Sequence, residues 1–227
     1  MGFIGIFIGL IGLSIAAKIW TRATELRRAE FIRTYRWPRG LIGKLMQQRN
    51  LPRKDAALVA RGLRQFFIAY LMGKKQRVSM PSQIVDELWH EFILHTREYE
   101  NFCRKAFGQF MHHSPATGLT EETNGANEGL RRVWRYSCIY ESIDPRNPTR
   151  LPLLFALDAK LGIANGFHYA TDCEQFREQG VPNRYCANDF NSSSGCSGGC
   201  SSGEGGAGGD GGGDGGSCGS GCGGGGD

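Results

Sequence analysis

Residues 82–108 read SQIVDELWHEFILHTREYENFCRKAFG, and this stretch decides the fold. Ser82 suits the N-cap of a helix, because its hydroxyl can accept a hydrogen bond from a main-chain N–H of the first turn. Apolar side chains then recur at helical spacing for about six turns. These are Val85, Leu88, Trp89, Phe92, Thr96, Tyr99, Phe102, Cys103 and Ala106. The pattern predicts one long helix that ends before Gly108.

Segments on both sides of this stretch carry helical signals as well. Residues 18–36 are expected to continue the N-terminal helix as a surface helix that ends before Trp37-Pro38. Residues 52–72 have apolar side chains at helical spacing, and residues 127–143 and 151–162 predict two shorter helices. Residues 167–169 are expected to form a short strand or an extended edge. No segment shows the repeated alternation of a larger sheet, so the fold class is expected to be mostly α, with a small helical domain of about four to five helices.

The N-terminal segment MGFIGIFIGLIGLSIAAKIW carries no side-chain charge before Lys18. A helix of this length crosses a hydrocarbon core of about 30 Å, so residues 1–20 are expected to be a single transmembrane helix. Basic residues follow it, which predicts a single-pass membrane protein with its C-terminal body in the cytoplasm. The alternatives are a signal peptide cleaved near Ser14-Ile15-Ala16 and a buried core helix.

Charge is distributed unevenly along the chain. Residues 18–80 carry 16 basic and 3 acidic side chains, whereas residues 81–227 carry 11 basic and 19 acidic ones. The basic juxtamembrane segment, residues 21–50, is therefore expected to bind anionic lipid headgroups of the bilayer. Nucleic acid is an unlikely partner by this reasoning, because no nucleic-acid-binding module pattern accompanies the basic residues.

Small residues share one face of the predicted anchor. Gly5 and Gly9 are four residues apart, and Gly12 follows on the same face. Such spacing lets two helices approach closely, so a homodimer through these glycines is expected. The alternative is that glycine is simply common in membrane-spanning helices.

The remaining chain divides into a helical domain, residues 51–190, and a tail, residues 191–227. The tail is rich in glycine and is expected to be disordered, because it cannot bury enough apolar surface to offset the entropy lost on ordering. Its cysteines form two matched pairs, Cys196 with Cys200 and Cys218 with Cys222. Four thiolates at such spacing can bind zinc, whereas reversible thiol chemistry and an unliganded tail are the alternatives. Stable disulfides are not expected in a cytoplasmic body.

A second candidate metal site lies in the helical domain. His90-Glu91 resembles the start of the zinc-protease motif HExxH, but the next histidine is His95, which is five residues on and points away from His90. Asp86 is four residues before His90, and a chain reversal after Gly108 would return His112 or His113 towards His90. Asp86, His90 and His113 are therefore candidate ligands for a divalent metal, with Cys103 as an outer member. The alternatives are histidines that only form hydrogen bonds or cap helices, and a nucleophilic pair of Cys103 with a histidine.

The stretch from Pro81 to Pro115 resembles the motif region of the glycine-rich domain-containing proteins. The proteins of that family share a D-x-x-W-H core that is followed by an aromatic residue and a cysteine. The matching residues of this chain are Asp86, Leu88, Trp89, His90, Tyr99 and Cys103. A looser match continues over residues 151–169. The resemblance implies a helical domain of unassigned biochemistry and brings no catalytic mechanism with it.

Two functions are consistent with these patterns. The first is a membrane-anchored, cytoplasmic interaction or scaffold protein, because no complete catalytic set is visible. The second is a divalent-metal-binding protein, with zinc as the expected ion at the histidine cluster, the tail cysteines or both. Enzymatic activity is uncertain and is not expected.

Overall fold

A computed structural model describes residues 2–113, 123–171, 184–186 and 190, with side chains described for residues 10–113 and 128–171 and for Cys186 and Phe190. Within this part of the chain the fold is mostly helical. Seven helices and two short strands follow in the order α1 (Gly2–Thr34), α2 (Leu41–Arg49), α3 (Arg53–Met72), α4 (Gln83–Leu94), α5 (Thr96–Ala106), α6 (Thr123–Tyr140), α7 (Leu153–Leu161), β1 (His168–Ala170) and β2 (Arg184–Cys186). The chain divides into two units, residues 1–193 and 194–227, and the second unit lies outside the described residues.

Helix α3 lies at the centre of the first unit and contacts α1, α2, α4, α6 and α7. Its apolar side chains are buried around most of its circumference, among them Val59, Leu63, Phe66 and Phe67. Every residue from Phe66 to Leu71 is buried, so this half of the helix is enclosed by other elements on all sides. Gly62 permits the closest of these approaches, since a Cβ there would lie 2.4 Å from Cδ1 of Leu157 on α7.

The segment 21–50 contributes to this core. Ile32 on α1 and Leu41 and Leu45 on α2 are fully or almost fully buried. Helix α2 was not predicted from the sequence, where its basic residues suggested a membrane-facing segment. Two of those residues form ion pairs with α4 instead: Lys44 with Glu91 and Arg49 with Glu87.

The predicted transmembrane helix is wrong. Helix α1 runs without a break from the apolar residues through the charged segment to Thr34. The charged residues Lys18, Arg22 and Glu25 lie within this one helix. Among the helices of the described chain, none is both long enough and apolar enough to cross a membrane. The single-pass topology and the cytoplasmic placement of the body were inferred from that helix and are corrected with it.

The long helix predicted over 82–106 is two helices. The break falls at His95, which has φ −79° and ψ +63°, so α4 ends at Leu94 and α5 begins at Thr96. The apolar spacing continues across the break, because both helices bury the same side of the chain against α1 and α3. Helix α5 contributes Tyr99, Phe102 and Cys103 to that buried side.

Asp158 of α7 anchors the N-terminus of α4. Its carboxylate is buried and accepts hydrogen bonds from the hydroxyl of Ser82 at 2.6 Å and from the main-chain N–H groups of Gln83 and Ile84 at 2.7 and 3.3 Å. The N–H of Phe167 donates a fourth, at 2.9 Å. A negative charge at a helix N-terminus is favourable, so this contact fixes α4 against α7.

The two strands pair in parallel, with Tyr169 opposite Tyr185. The short strand expected near residues 167–169 is thus present as β1. Cys186 in β2 is disulfide-bonded, which corrects the expectation that the body holds no stable disulfide. Cys103 and Cys138 are free and buried.

Candidate metal centre

Helix α4 presents Asp86 and His90 on one face, because residues four apart lie one turn above each other. Nδ1 of His90 is 3.5 Å from Oδ2 of Asp86. His113 arrives from the segment after α5, and its Nε2 atom is 2.9 Å from Oδ1 of the same carboxylate. The fold therefore brings together the three residues that the sequence analysis named as candidate ligands of one metal ion.

This cluster is enclosed on one side and open on the other. The side chain of His113 is 10 % exposed, that of Asp86 29 % and that of His90 50 %. Trp89 contacts the ring of His113 edge-on, with 4.4 Å between ring centroids, and the two histidine rings are 4.3 Å apart. An ion or small molecule would therefore reach the cluster from the side of His90.

A chain of hydrogen bonds beneath the cluster holds the segment that carries His113. Nε1 of Trp89 donates to the hydroxyl of Tyr99 at 3.2 Å, and this hydroxyl donates to the main-chain carbonyl of Met111 at 2.6 Å. All three residues are buried. Burial raises the pKa of Tyr99, so the hydroxyl keeps its proton and remains a donor.

Gly108 turns the chain from α5 towards His113. Its φ of +75° lies in the left-handed region, which favours glycine. Its N–H donates to the carbonyls of Cys103 and Arg104 and so closes the end of α5. The same place is crowded, since a Cβ on Gly108 would lie 2.6 Å from Nη2 of Arg28.

The distances within the cluster suit a metal ion. The ligand atoms of Asp86, His90 and His113 all lie within 4.8 Å of one another. A sphere of about 2.8 Å radius then encloses all three atoms, whereas bonds from zinc to nitrogen and oxygen are about 2.0–2.2 Å. Two of the three side chains, those of Asp86 and His90, are partly exposed and are therefore not packed on every side.

Cys103 does not join the cluster, because the only group of metal-ligating side chains among the described residues consists of the other three. Its thiol is buried beside the hydroxyl of Tyr99 and the main chain of Met111. Burial raises the pKa of Cys103, which keeps the thiol protonated and argues against the nucleophilic pair considered above. Cys103 thus packs under the supporting hydrogen bonds rather than at the open side.

The other candidate residues lie elsewhere. His95 is at the break between α4 and α5, and the exposed His112 contacts Phe110, with 4.8 Å between ring centroids. The tail cysteines Cys196, Cys200, Cys218 and Cys222 lie outside the described residues, so zinc binding there stays a prediction. Gly5 and Gly9 belong to the part of α1 whose packing is not described, and a Cβ on Gly12 would have no heavy atom within 4 Å. The homodimer through these glycines also stays a prediction.

Sequence reasoning found the three clustered residues but gave no role to the residues that support them. Trp89 and Tyr99 were predicted only as apolar positions of a helix. Their supporting role could have been suspected from the tryptophan and the tyrosine ten residues later, since each carries a polar atom that needs a hydrogen-bond partner when buried.

Comparison with known proteins gives a family and no function. The chain matches the model of the UCP032817-like family over residues 27–190, which is more than half of its length. No curated protein and no solved structure matches it. The matched region contains Asp86, His90 and His113, as well as Trp89 and Tyr99.

Proposed function

We propose that this chain, which belongs to the UCP032817-like family, binds a divalent transition-metal ion through Asp86, His90 and His113. The observation that carries the proposal is that three ligand atoms, from two histidines and one carboxylate, lie within 4.8 Å of one another at a partly open surface. The family is uncharacterised, so the proposal depends on this geometry alone.

The donor set favours zinc or iron over calcium or magnesium. Imidazole nitrogen suits transition metals, whereas calcium and magnesium bind oxygen ligands. Two histidines and one carboxylate occur in open zinc sites and in non-haem iron sites, and both leave coordination positions for water or another small molecule. Zinc, the ion expected from the sequence, is the one proposed here.

The surroundings of the cluster support this function. Trp89 lies against His113 and limits the rotation of its ring, while the hydrogen bond of Tyr99 to Met111 holds the main chain nearby. Residues that orient metal ligands in this way strengthen metal binding in other proteins. Half of the His90 side chain is exposed, which leaves a path from solvent to the ion.

The direct test is a zinc titration of the full chain by isothermal titration calorimetry, with zinc content checked by elemental analysis. The four tail cysteines are changed to serine in every sample, because they are independent candidate ligands. We expect about one zinc ion per chain, and loss of that binding in His90→Ala and His113→Ala. His112→Ala is the matched control, since His112 is adjacent in sequence but outside the cluster, and it should bind zinc like the parent protein.

Two results would overturn the proposal. One is the absence of zinc binding in the parent protein, and the other is equal binding by the His113→Ala and His112→Ala variants. Circular dichroism of each variant separates loss of a ligand from loss of the fold.

Two finer interpretations of the sequence remain proposals. Membership of the glycine-rich domain-containing proteins is supported by the motif over residues 81–115. The interaction or scaffold role is supported by the lack of a complete catalytic set among the residues that are described.

A further inference from the structure

A cavity of about 750 Å³ lies between α1, α3, α6 and α7, and its walls carry a concentration of positive charge. It is lined by residues of all four helices and does not include any member of the candidate metal cluster. Its cationic side chains are Arg33, Arg61, Arg64, Arg150 and Lys160, and Glu141 is its one carboxylate.

The carboxylate of Glu141 is already fully engaged. One oxygen accepts hydrogen bonds from Nε2 of Gln65 at 2.8 Å and from the N–H of Leu153 at 2.6 Å, and the other binds Arg150. These contacts hold the start of α7 against α3 and α6. Glu141 therefore neutralises Arg150 and has no capacity left for the other cations.

The other cations have weak acidic partners or none. Arg33 pairs at 3.6 Å with Glu30, whose side chain is 64 % exposed, and an exposed pair of this kind stabilises little. In the described part of the chain, no ion pair involves Arg61, Arg64 or Lys160. Like charges gathered in one cavity repel each other, and an anion bound among them would relieve that repulsion.

Arg64 is the most constrained of these cations. Nη2 donates to the carbonyl of Tyr35 at 2.8 Å, and the guanidinium lies over the ring of Trp37 at 4.9 Å from its centroid. Its Nε atom is buried without a hydrogen-bond partner, as is Nε1 of Trp37. A positive charge is thus held partly buried without a carboxylate to balance it.

One wall of the cavity is apolar. It is formed by Leu58, Leu151, Leu153 and Ala156, next to the ring of Tyr140. Arginine binds phosphate groups through a planar fork of N–H donors, and an apolar wall beside such cations suits the organic part of a ligand. The volume is in the range of small-molecule sites, about 300–1,000 Å³.

We infer that this cavity binds a small organic phosphate, whose phosphate group contacts Arg61, Arg64 and Lys160 while its organic group contacts the apolar wall. The inference does not depend on metal binding, because the two sites share no residue.

The probe for this site is phenyl phosphate, which joins one phosphate group to one aromatic ring, and inorganic phosphate is the reference ligand. Binding to the full chain is measured by isothermal titration calorimetry at a fixed ionic strength of about 0.15 M, where non-specific attraction is screened. We expect phenyl phosphate to bind with at least about tenfold higher affinity than inorganic phosphate, because only phenyl phosphate contacts the apolar wall.

Arg61→Ala and Lys160→Ala should each weaken the binding of phenyl phosphate by about tenfold or more. Both side chains are exposed, so these variants keep the fold. Arg53→Ala is the matched control, because Arg53 is an exposed cation of the same helix as Arg61 but outside the cavity. No binding of phenyl phosphate at about 10 mM would overturn the inference, since the dissociation constant would then exceed about 10 mM, which is too weak for a specific site. Equal weakening by Arg53→Ala and Arg61→Ala would overturn it as well, since binding would then be non-specific.

Discussion

The hydroxyl of Tyr99 donates a hydrogen bond of 2.6 Å to the main-chain carbonyl of Met111, two residues before His113. The same oxygen accepts the indole N–H of Trp89, so one buried atom joins α4, α5 and the segment that carries His113. Asp86 and His90 belong to α4 as well. This contact therefore holds His113 at its distance from Asp86 and His90 in the proposed metal site.

Replacing Tyr99 by Phe should therefore lower both stability and zinc affinity. The change leaves Nε1 of Trp89 and the carbonyl of Met111 buried without a partner, which costs about 1–3 kcal/mol in the free energy of unfolding. Zinc affinity should fall about 10–100-fold, as it does when supporting residues of other metal sites are removed. Urea denaturation and a zinc titration measure the two effects. Tyr140→Phe, at a partly exposed position, should change neither, and unchanged zinc affinity in Tyr99→Phe would contradict the supporting role.

Zinc binding should weaken as the pH falls. Both imidazoles must be unprotonated to bind the ion, so protons compete with zinc for the same nitrogen atoms. Competition between two protons and one zinc ion should lower the affinity by up to about 100-fold per pH unit at the acidic end. Zinc titrations against a chelator of known proton affinity, repeated at several pH values, measure the slope of the logarithm of zinc affinity against pH. A slope that is unchanged in His90→Ala would show that His90 is not a ligand.

The carboxylate of Asp158 should be essential for stability. It accepts four hydrogen bonds, three of them from residues 82–84 at the start of α4. Each carboxylate oxygen accepts two, so in either orientation of an Asp158→Asn variant the side-chain NH₂ group would face two of these donors. We expect a loss of about 2–4 kcal/mol in the free energy of unfolding, from charged hydrogen bonds and from the helix dipole. The exposed Asp144→Asn should cost less than about 0.5 kcal/mol. Urea denaturation compares the two, and equal costs would contradict the role of Asp158.

Two glycines on neighbouring helices should respond in opposite directions to the same substitution. A Cβ at Gly62 meets Leu157 and Val85 at 2.4 and 3.0 Å in the core, so Gly62→Ala should cost about 1–3 kcal/mol. A Cβ at Gly43 meets nothing within 4 Å, so Gly43→Ala should stabilise the protein by about 0.5–1 kcal/mol through higher helix propensity. Thermal denaturation of the two variants checks the difference in sign.

The buried thiols should be unreactive in the folded protein. Burial, together with the nearby Glu141, raises the pKa of Cys138 to about 12, so almost no thiolate is present at about pH 8. Iodoacetamide followed by peptide mass spectrometry should find Cys138 and Cys103 unmodified in the native state and modified in urea. Rapid native modification of either would contradict their burial.

The sequence predicted those parts of the fold and the site that depend on local pattern. Asp86 and His90 follow from helical spacing, and a return of His112 or His113 was expected if the chain reversed after Gly108; the structure brings His113 back. The break at His95 was not predicted, because the apolar spacing is the same on both sides of it. Helix α2 was missed because its cations form ion pairs with Glu87 and Glu91, residues that are distant in sequence.

Contacts across long stretches of sequence account for most of the rest. No local pattern predicts that Asp158 caps a helix that begins 75 residues earlier. The packing of Ile32 on α1 against the core is a further contact of this kind, because the sequence pattern placed residues 21–50 at the membrane surface.

The most direct test of the central claim is X-ray absorption spectroscopy of the zinc-loaded full chain in which the tail cysteines are serine. The account predicts two imidazole nitrogens and at least one oxygen at about 2.0–2.2 Å from zinc, no sulfur in the first coordination shell, and loss of one imidazole in His113→Ala. A shell that contains sulfur at about 2.3 Å, or one that His113→Ala leaves unchanged, would place the ion elsewhere and contradict the account.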